Sequence, residues 1–330
     1  MEKQVFPGDG PKVRRRPVRS DARGRLRRLA RRAALAVAGT GLAVVGLLGG
    51  CALALSGDAT GEVLALRGTL GQVRTAAEWS DDESRFRHVE LFNHRGEAVT
   101  EALLRRPLRL AADHRVLVTY TGAGTGARIF ELIPARDDLV LLAVQYPFER
   151  PRGRLERLGT VFEVRRAALR TAAGGLLAVD YLERDEALDP ARILLLGASV
   201  GSVFATLQGA LDERIPRVLI VHGGGDLPTL LRVSMEGHVP DWLLPVTVRL
   251  ARIPTDSFDP VRYVGRIAPR ELVVVAARDD RRFPPACVEA FYARAGEPKR
   301  LLWTETGHVG NSKADIVAVV LEQITAYLDG

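Results

Sequence analysis

The stretch Ile193-Leu194-Leu195-Leu196-Gly197-Ala198-Ser199-Val200-Gly201 decides the fold. Its first four residues form a continuous apolar run, and an apolar segment of helical length follows at residues 203–211. The serine therefore stands between two glycines, where a buried strand meets a helix. A sharp turn of this kind exposes the serine hydroxyl, and the glycines let the strand and the helix approach closely. The pattern predicts Ser199 as a nucleophile.

Short apolar runs and helical segments alternate on both sides of this turn. We predict strands at residues 86–92, 115–120, 139–145, 191–196, 216–222, 271–277 and 299–303, and helices at residues 154–184, 200–211, 284–295 and 313–328. Several of the runs are continuously apolar rather than alternating, which is typical of parallel strands covered by helices on both faces. The order of strand and helix therefore predicts a doubly wound α/β domain with a mostly parallel sheet.

Residues 226–262 do not follow this alternation. Their prolines break any long helix, at Pro228, Pro240, Pro245, Pro254 and Pro260. We interpret the segment as a small cap inserted above the sheet. Met235, Trp242 and Leu243 could line an apolar substrate pocket there, or they could equally form the core of the cap.

Candidate partners for the serine follow the last two predicted strands. Asp279 and Asp280 come directly after the strand at 271–277, and His308 follows the strand at 299–303 on a loop between two glycines. A serine nucleophile needs a base that removes its proton and an acid that orients the base. The chain order is then serine, aspartate, histidine. The other histidines lack a matching position and are interpreted as surface or structural residues, namely His88, His94, His114, His222 and His238.

From about residue 85 to residue 330 the chain resembles the serine hydrolases of the α/β-hydrolase fold. The resemblance is closest to the branch of the dienelactone hydrolases, acetyl esterases and prolyl-oligopeptidase-like enzymes. It rests on the Gly197-x-Ser199-x-Gly201 turn, on the order serine, acid, histidine, and on three further stretches. These are Leu188-Asp-Pro-Ala-Arg-Ile193, Phe258-Asp-Pro260 and Arg266-Ile-Ala-Pro-Arg270. The resemblance implies the fold and a Ser-His-Asp mechanism, but no particular substrate.

The resemblance also assigns roles at single positions. Asp280-x-x-Phe283-Pro284 resembles the acid-bearing turn of many α/β hydrolases, which favours Asp280 over Asp279 and over the more distant Asp226. The loop after the strand at 115–120 stands where relatives carry a His-Gly-x-Gly motif, but here Thr121 occupies the histidine position. The implied oxyanion donors are the backbone N–H groups of Ala123 and Val200.

The expected reaction is hydrolysis of a carboxylic ester on a small molecule. The chain lacks room for a propeller or similar gating domain that would screen peptides, and the cap is only about 35 residues long. A serine peptidase, or a hydrolase-like binding protein without activity, are the alternatives. Gly122-x-Gly124-x-x-Ala127 also fits a dinucleotide fingerprint, but Pro134 interrupts the helix that should follow. We expect no cofactor and no metal, because no Cys/His pair has ligand spacing on one element.

The charge of the chain is concentrated at its N-terminus. The 330 residues carry a formal charge of +7, which by itself would suggest a nucleic-acid partner. Residues 1–32 hold twelve basic and three acidic side chains, a charge of +9, so the remainder carries −2. The basic excess belongs to a terminal segment, and we expect no nucleic-acid partner.

A membrane segment is predicted directly after this basic region. Residues 33–55 contain no charge over 23 positions, enough for a helix to cross a hydrocarbon core of roughly 30 Å. The arginines before it predict that residues 1–32 remain in the cytoplasm and that the catalytic domain lies outside, in a bacterial cell envelope. Leu48-Gly-Gly-Cys51 resembles a lipobox, so the segment is either a signal anchor or a lipoprotein signal acylated at Cys51. Residues 56–84 are interpreted as a linker, and residues 85–330 as the hydrolase domain.

Overall fold

The computed structural model describes residues 57–122, 126–147, 156–309 and 314–329. The chain divides into two units, Met1–Cys51 and Ala52–Gly330, and every described residue belongs to the second. The predicted basic region, membrane segment and lipobox therefore lie outside the described residues. Within the described ranges, no helix has both the length and the apolar character that a membrane span requires.

A sheet of nine strands organises the described chain. The strands are β1 (Leu70–Ser80), β2 (Ser84–Asn93), β3 (Ala98–Pro107), β4 (Arg115–Tyr120), β5 (Leu139–Val144), β6 (Ile193–Ala198), β7 (Arg217–Val221), β8 (Glu271–Ala277) and β9 (Lys299–Thr304). Their order across the sheet is β1-β2-β3-β5-β4-β6-β7-β8-β9. The six strands β4 to β9 pair with one another in parallel. The pairs β1–β2, β2–β3 and β3–β5 are antiparallel. The predicted mostly parallel α/β fold is confirmed.

Helices cover both faces of this sheet. They are α1 (Thr60–Arg67), α2 (Ile129–Leu132), α3 (Glu156–Leu182), α4 (Gly201–Leu211), α5 (Leu227–Met235), α6 (Leu244–Thr255), α7 (Pro285–Arg294) and α8 (Ala314–Asp329). Residues of α1, α3, α4 and α7 share one apolar core with one face of the sheet, and residues of α2 and α8 pack on the other face. Burial on both faces explains why the central strands are apolar throughout.

The N-terminal part of the domain differs from the linker expected at residues 56–84. Residues 60–67 form α1 and residues 70–80 form β1, which pairs with β2. β1 is an edge strand with mostly exposed side chains, so it lacks the apolar run by which the other strands are recognised. β3 was also missed, because the basic Arg105 and Arg106 lie near the end of its apolar stretch.

The cap lies between β7 and β8 and consists of α5, α6 and short 3-10 turns. Two of its prolines begin helices rather than break them, since Pro228 and Pro245 lie in the first turns of α5 and α6. A proline fits the first turn because the N–H that it lacks would have no partner within the helix. The cap is therefore more helical than its proline content suggests.

Candidate active site

The predicted nucleophile lies between β6 and α4. Ser199 has a φ of +55°, and its backbone N–H donates to the carbonyl of Val221 on the neighbouring strand at 3.0 Å. A positive φ is uncommon for a residue with a side chain and marks local strain that the surrounding structure must hold in place. The strained turn places the serine at the carboxyl edge of the parallel sheet.

The two glycines of the turn are required by close packing. A Cβ on Gly197 would lie 2.5 Å from the Cβ of Ala205, and a Cβ on Gly201 would lie 2.2 Å from the carbonyl oxygen of Tyr120. Both distances are shorter than a carbon contact allows. Only glycine lets α4 approach β6 and β4 closely enough at this point.

The structure brings Ser199, His308 and Asp280 into one chain of hydrogen bonds. Ser199 Oγ lies 2.8 Å from His308 Nε2, and His308 Nδ1 lies 2.7 Å from Asp280 Oδ2. These residues are 109 and 28 positions apart in the sequence. They meet because the carboxyl ends of the parallel strands β6, β8 and β9 share one edge of the sheet.

The acid of this arrangement is Asp280 and not its neighbour. Asp280 is only 3% exposed, and its Oδ1 accepts the backbone N–H groups of Arg282 at 2.8 Å and Phe283 at 2.9 Å. The other carboxylate oxygen is thereby directed at His308. Asp279 is exposed, and Asp226 accepts the hydroxyl of Thr229 at the start of the cap.

An aromatic ring packs on the histidine. The ring of Phe283 is nearly parallel to that of His308, with 5.9 Å between the centroids and an angle of 11°. Phe283 also belongs to a small apolar cluster with Leu230 of the cap and Cys287 of α7. Leu227, also of the cap, packs against the same cluster, so the cap supports the site through Phe283.

The three residues predicted for a substrate pocket occupy different environments. Trp242 is 80% exposed, so its ring is not the wall of an enclosed pocket. Met235 and Leu243 are partly buried. The burial pattern thus gives Trp242 no part in the core of the cap.

The predicted oxyanion donors are described only in part. Val200 directly precedes α4, where the N–H groups of a helix's first turn are free of intrahelical hydrogen bonds. Ala123 lies outside the described residues. Thr121, at the position where the sequence departs from the related motif, is buried, and its carbonyl accepts a hydrogen bond from the hydroxyl of Tyr146.

A second histidine, His222, lies beside Ser199, His308 and Asp280. From the sequence alone it is interpreted as a surface or structural residue. His222 is 1% exposed, and its Nδ1 accepts the backbone N–H of Val309 at 2.8 Å. Burial lowers its pKa to about 4, although the nearby carboxylate of Asp280 acts in the opposite direction. A sequence signal existed, because three glycines follow His222 and indicate a tightly packed strand end.

Ligand atoms of His222, Asp280 and His308 lie within 4.8 Å of one another, which is close enough to hold a metal ion. Two of the three residues already share a hydrogen bond, and Asp280 accepts two backbone N–H groups besides. A metal would have to displace the proton between Asp280 and His308. The donor set is better suited to holding that proton.

The described chain is similar to solved structures of esterases. An acetyl xylan esterase from Paenibacillus sp. R4 superimposes with a TM-score of 0.60 at 18% identity, over 82% of this chain and 92% of that one. Acetyl xylan esterase 1 from Thermoanaerobacterium sp. JW/SL YS485 gives a TM-score of 0.55 at 12% identity, over 80% and 93% of the two chains. A cold-adapted esterase from an Arctic intertidal metagenomic library gives 0.51 at 14% identity, over 76% and 96%.

No family model matches the sequence, and no curated protein matches it. Identities of this size do not by themselves establish a substrate, but the superposition extends over most of both chains. Together with the sheet order and the serine turn, it identifies the architecture: the chain has the α/β-hydrolase fold.

Proposed function

We propose that this protein is a serine hydrolase that cleaves carboxylic esters through an acyl-enzyme. The observation that carries the proposal is the hydrogen-bond chain from Ser199 Oγ through the two nitrogens of His308 to Asp280. The order of these groups is the one that a serine nucleophile needs, with a base within reach and an acid behind the base.

The reaction begins when Ser199 Oγ attacks the ester carbonyl and His308 Nε2 takes the hydroxyl proton. Asp280 accepts the Nδ1–H of His308, which fixes the tautomer and stabilises the imidazolium as it forms. The N–H of Val200, with that of Ala123 as the predicted second donor, stabilises the oxyanion. Collapse of the intermediate expels the alcohol, which receives its proton from His308. Water, deprotonated by the same nitrogen, then hydrolyses the acyl-enzyme and releases the acid.

An ester is favoured over an amide for two reasons. Solved structures that superimpose over 92% to 96% of their own chains are named as esterases. The cap between β7 and β8 is also short, with α5 and α6 as its two helices, and a cap of this size is not a gating domain that would screen peptides.

The test measures hydrolysis of p-nitrophenyl esters of increasing chain length beside aminoacyl-nitroanilides, together with labelling by a fluorophosphonate. We expect ester hydrolysis and a label that Ser199→Ala removes. Cleavage of the anilides alone would assign the protein to the serine peptidases. A folded protein that takes no label and cleaves neither substrate would be a hydrolase-like binding protein.

We further propose that the domain is tethered to a membrane outside the cytoplasm, in a bacterial cell envelope. The support is the uncharged segment 33–55 and the cluster of arginines before it. In fractionated cells the full chain should remain in the membrane pellet after a carbonate wash. Metabolic labelling with palmitate separates the two forms of tether, since a lipoprotein loses the label in Cys51→Ser and a signal anchor carries none there. Recovery in the soluble fraction would refute both forms.

A further inference from the structure

His222 is held by the central sheet. It follows β7 directly, its backbone N–H donates to the carbonyl of Val275 on β8 at 2.8 Å, and its φ is +45°. The side chain is almost completely buried. A buried imidazole on a backbone fixed to two central strands is a rigid support for whatever it binds.

What it binds is the loop that carries the proposed base. Val309 directly follows His308, and its N–H donates to His222 Nδ1 at 2.8 Å. On the other side of His308, the carbonyl of Thr306 accepts the N–H of Asp279 at 3.2 Å. The loop is therefore fixed on both sides of the histidine, once by a backbone group of the acid turn and once by the His222 side chain.

We propose that His222 is a positioning residue, which accepts the N–H of Val309 and thereby keeps the His308 imidazole between Asp280 and Ser199. The inference rests on the proposed Ser-His-Asp mechanism. Its basis is the hydrogen bond next to the base, together with the 6.1 Å between the two imidazole centroids.

The protonation state of His222 is suited to this role. Its Nδ1 can accept a hydrogen bond only while it carries no proton. Burial and the neighbouring His308 lower its pKa, against the opposite influence of Asp280, to about 4. The imidazole is therefore uncharged throughout the neutral range, and the N–H of Val309 directed at Nδ1 requires its single proton to be on Nε2. A free histidine would be partly protonated near its ordinary pKa of about 6.5.

The effect on catalysis should be large, because a misplacement of about 1 Å at a reacting group can cost roughly 100-fold in rate. Loss of the His222 acceptor frees the loop on one side of His308. The bond joins two protein groups, so we expect its loss to leave the ground-state binding of substrate largely unchanged. We therefore expect a lower kcat with little change in KM.

The experiment compares His222→Ala with His222→Asn. The Asn carbonyl oxygen can take the place of Nδ1 as acceptor, and Asn tolerates a positive φ better than most residues. On p-nitrophenyl acetate we expect His222→Ala to lose 10- to 100-fold in kcat, with KM within twofold. His222→Asn should retain kcat to within about fivefold. Val218→Ala, a buried change at the opposite end of β7, controls for lost stability.

A second readout does not depend on turnover. The Nδ1 proton of His308, which is hydrogen-bonded to Asp280, should give a downfield proton resonance. We expect His222→Ala to broaden or remove this resonance, and His222→Asn and Val218→Ala to keep it. The proposal is wrong if His222→Ala leaves both kcat and this resonance intact. It is also wrong if kcat falls equally in His222→Asn and His222→Ala. If the wild-type protein hydrolyses no ester, the proposed function fails, and the resonance alone decides whether His222 positions His308.

Discussion

The turns after β6, β8 and β9 and the cap after β7 leave the same edge of the sheet, but they are built differently. Backbone N–H groups fix the turns, such as the N–H of Ser199 on the carbonyl of Val221 and the N–H of Phe283 on the carboxylate of Asp280. The cap has two helices, and on and beside α6 it exposes Trp242, Val246 and Leu250. The turns therefore hold Ser199, Asp280 and His308 in place, whereas the cap presents an exposed apolar surface.

The strongest test of the turns is the nucleophile itself. Ser199→Ala removes the group that forms the acyl-enzyme, and we expect kcat for p-nitrophenyl acetate to fall about 10⁴-fold or more. The fold should persist, since alanine requires no new space at this position. Steady-state kinetics and circular dichroism measure the two effects. Substantial activity in the variant would mean that the reaction uses another nucleophile.

The two adjacent acids provide a matched pair. Asp280→Asn keeps the shape of the side chain but no longer holds His308 in the correct tautomer, so kcat should fall by about 10³- to 10⁴-fold. Asp279→Asn changes an exposed neighbour and should stay within about twofold of wild type. Kinetics on the same ester decide between them. Equal losses would contradict the assignment of the acid.

The pH dependence of the free energy of unfolding tests whether burial keeps His222 uncharged in the folded protein. Its folded pKa of about 4 lies below the ordinary value of 6.5. Between these values the unfolded chain binds a proton that the folded chain does not. The free energy of unfolding should therefore decrease as the pH falls from about 6.5 to about 4, by up to about 3 kcal/mol.

Chemical denaturation at several pH values measures this change, and His222→Asn serves as the control because asparagine does not titrate. We expect a flatter profile for the variant in that pH range. Parallel profiles for the two proteins would show that His222 already titrates normally in the folded state.

The smallest effect is expected on the outer side of the cap. Trp242→Ala should change the free energy of unfolding by no more than about 0.5 kcal/mol, because the ring is exposed. Leu230→Ala is the informative comparison, since this buried residue packs against Phe283 and its loss should cost about 2–3 kcal/mol. If Trp242→Ala raises KM for long-chain esters while acetate is unaffected, the exposed ring contacts substrate after all.

Sequence patterns predicted the parallel half of the domain well, and in the antiparallel half they predicted β2 but missed β1 and β3. β4 and β8 match their predicted bounds because strands buried on both faces are apolar without interruption. β1 is exposed and polar. In β3, the buried Arg105 donates to the carbonyls of Phe130, Ile133 and Pro134, a tertiary arrangement that no local pattern could reveal.

The candidate site divides in the same way. Ser199 and His308 stand in local patterns that point to them, and the choice of Asp280 came from resemblance to a known turn. His222 was missed because its importance depends on Val309, 87 residues away. A strand end followed by glycines indicates tight packing, but it cannot name the group that packs there.

The way in which Asp280 is oriented has a consequence for how this turn can evolve. Its Oδ1 is bound by main-chain N–H groups of residues 282 and 283, and every residue except proline supplies such a group. The side chains of Arg281 and Arg282, both exposed, can therefore change without disturbing the acid, except to proline at position 282. The length of the turn cannot change in the same way, because an inserted residue would move both N–H donors away from Asp280. Homologues should accordingly vary in composition here while keeping the spacing from Asp280 to Phe283.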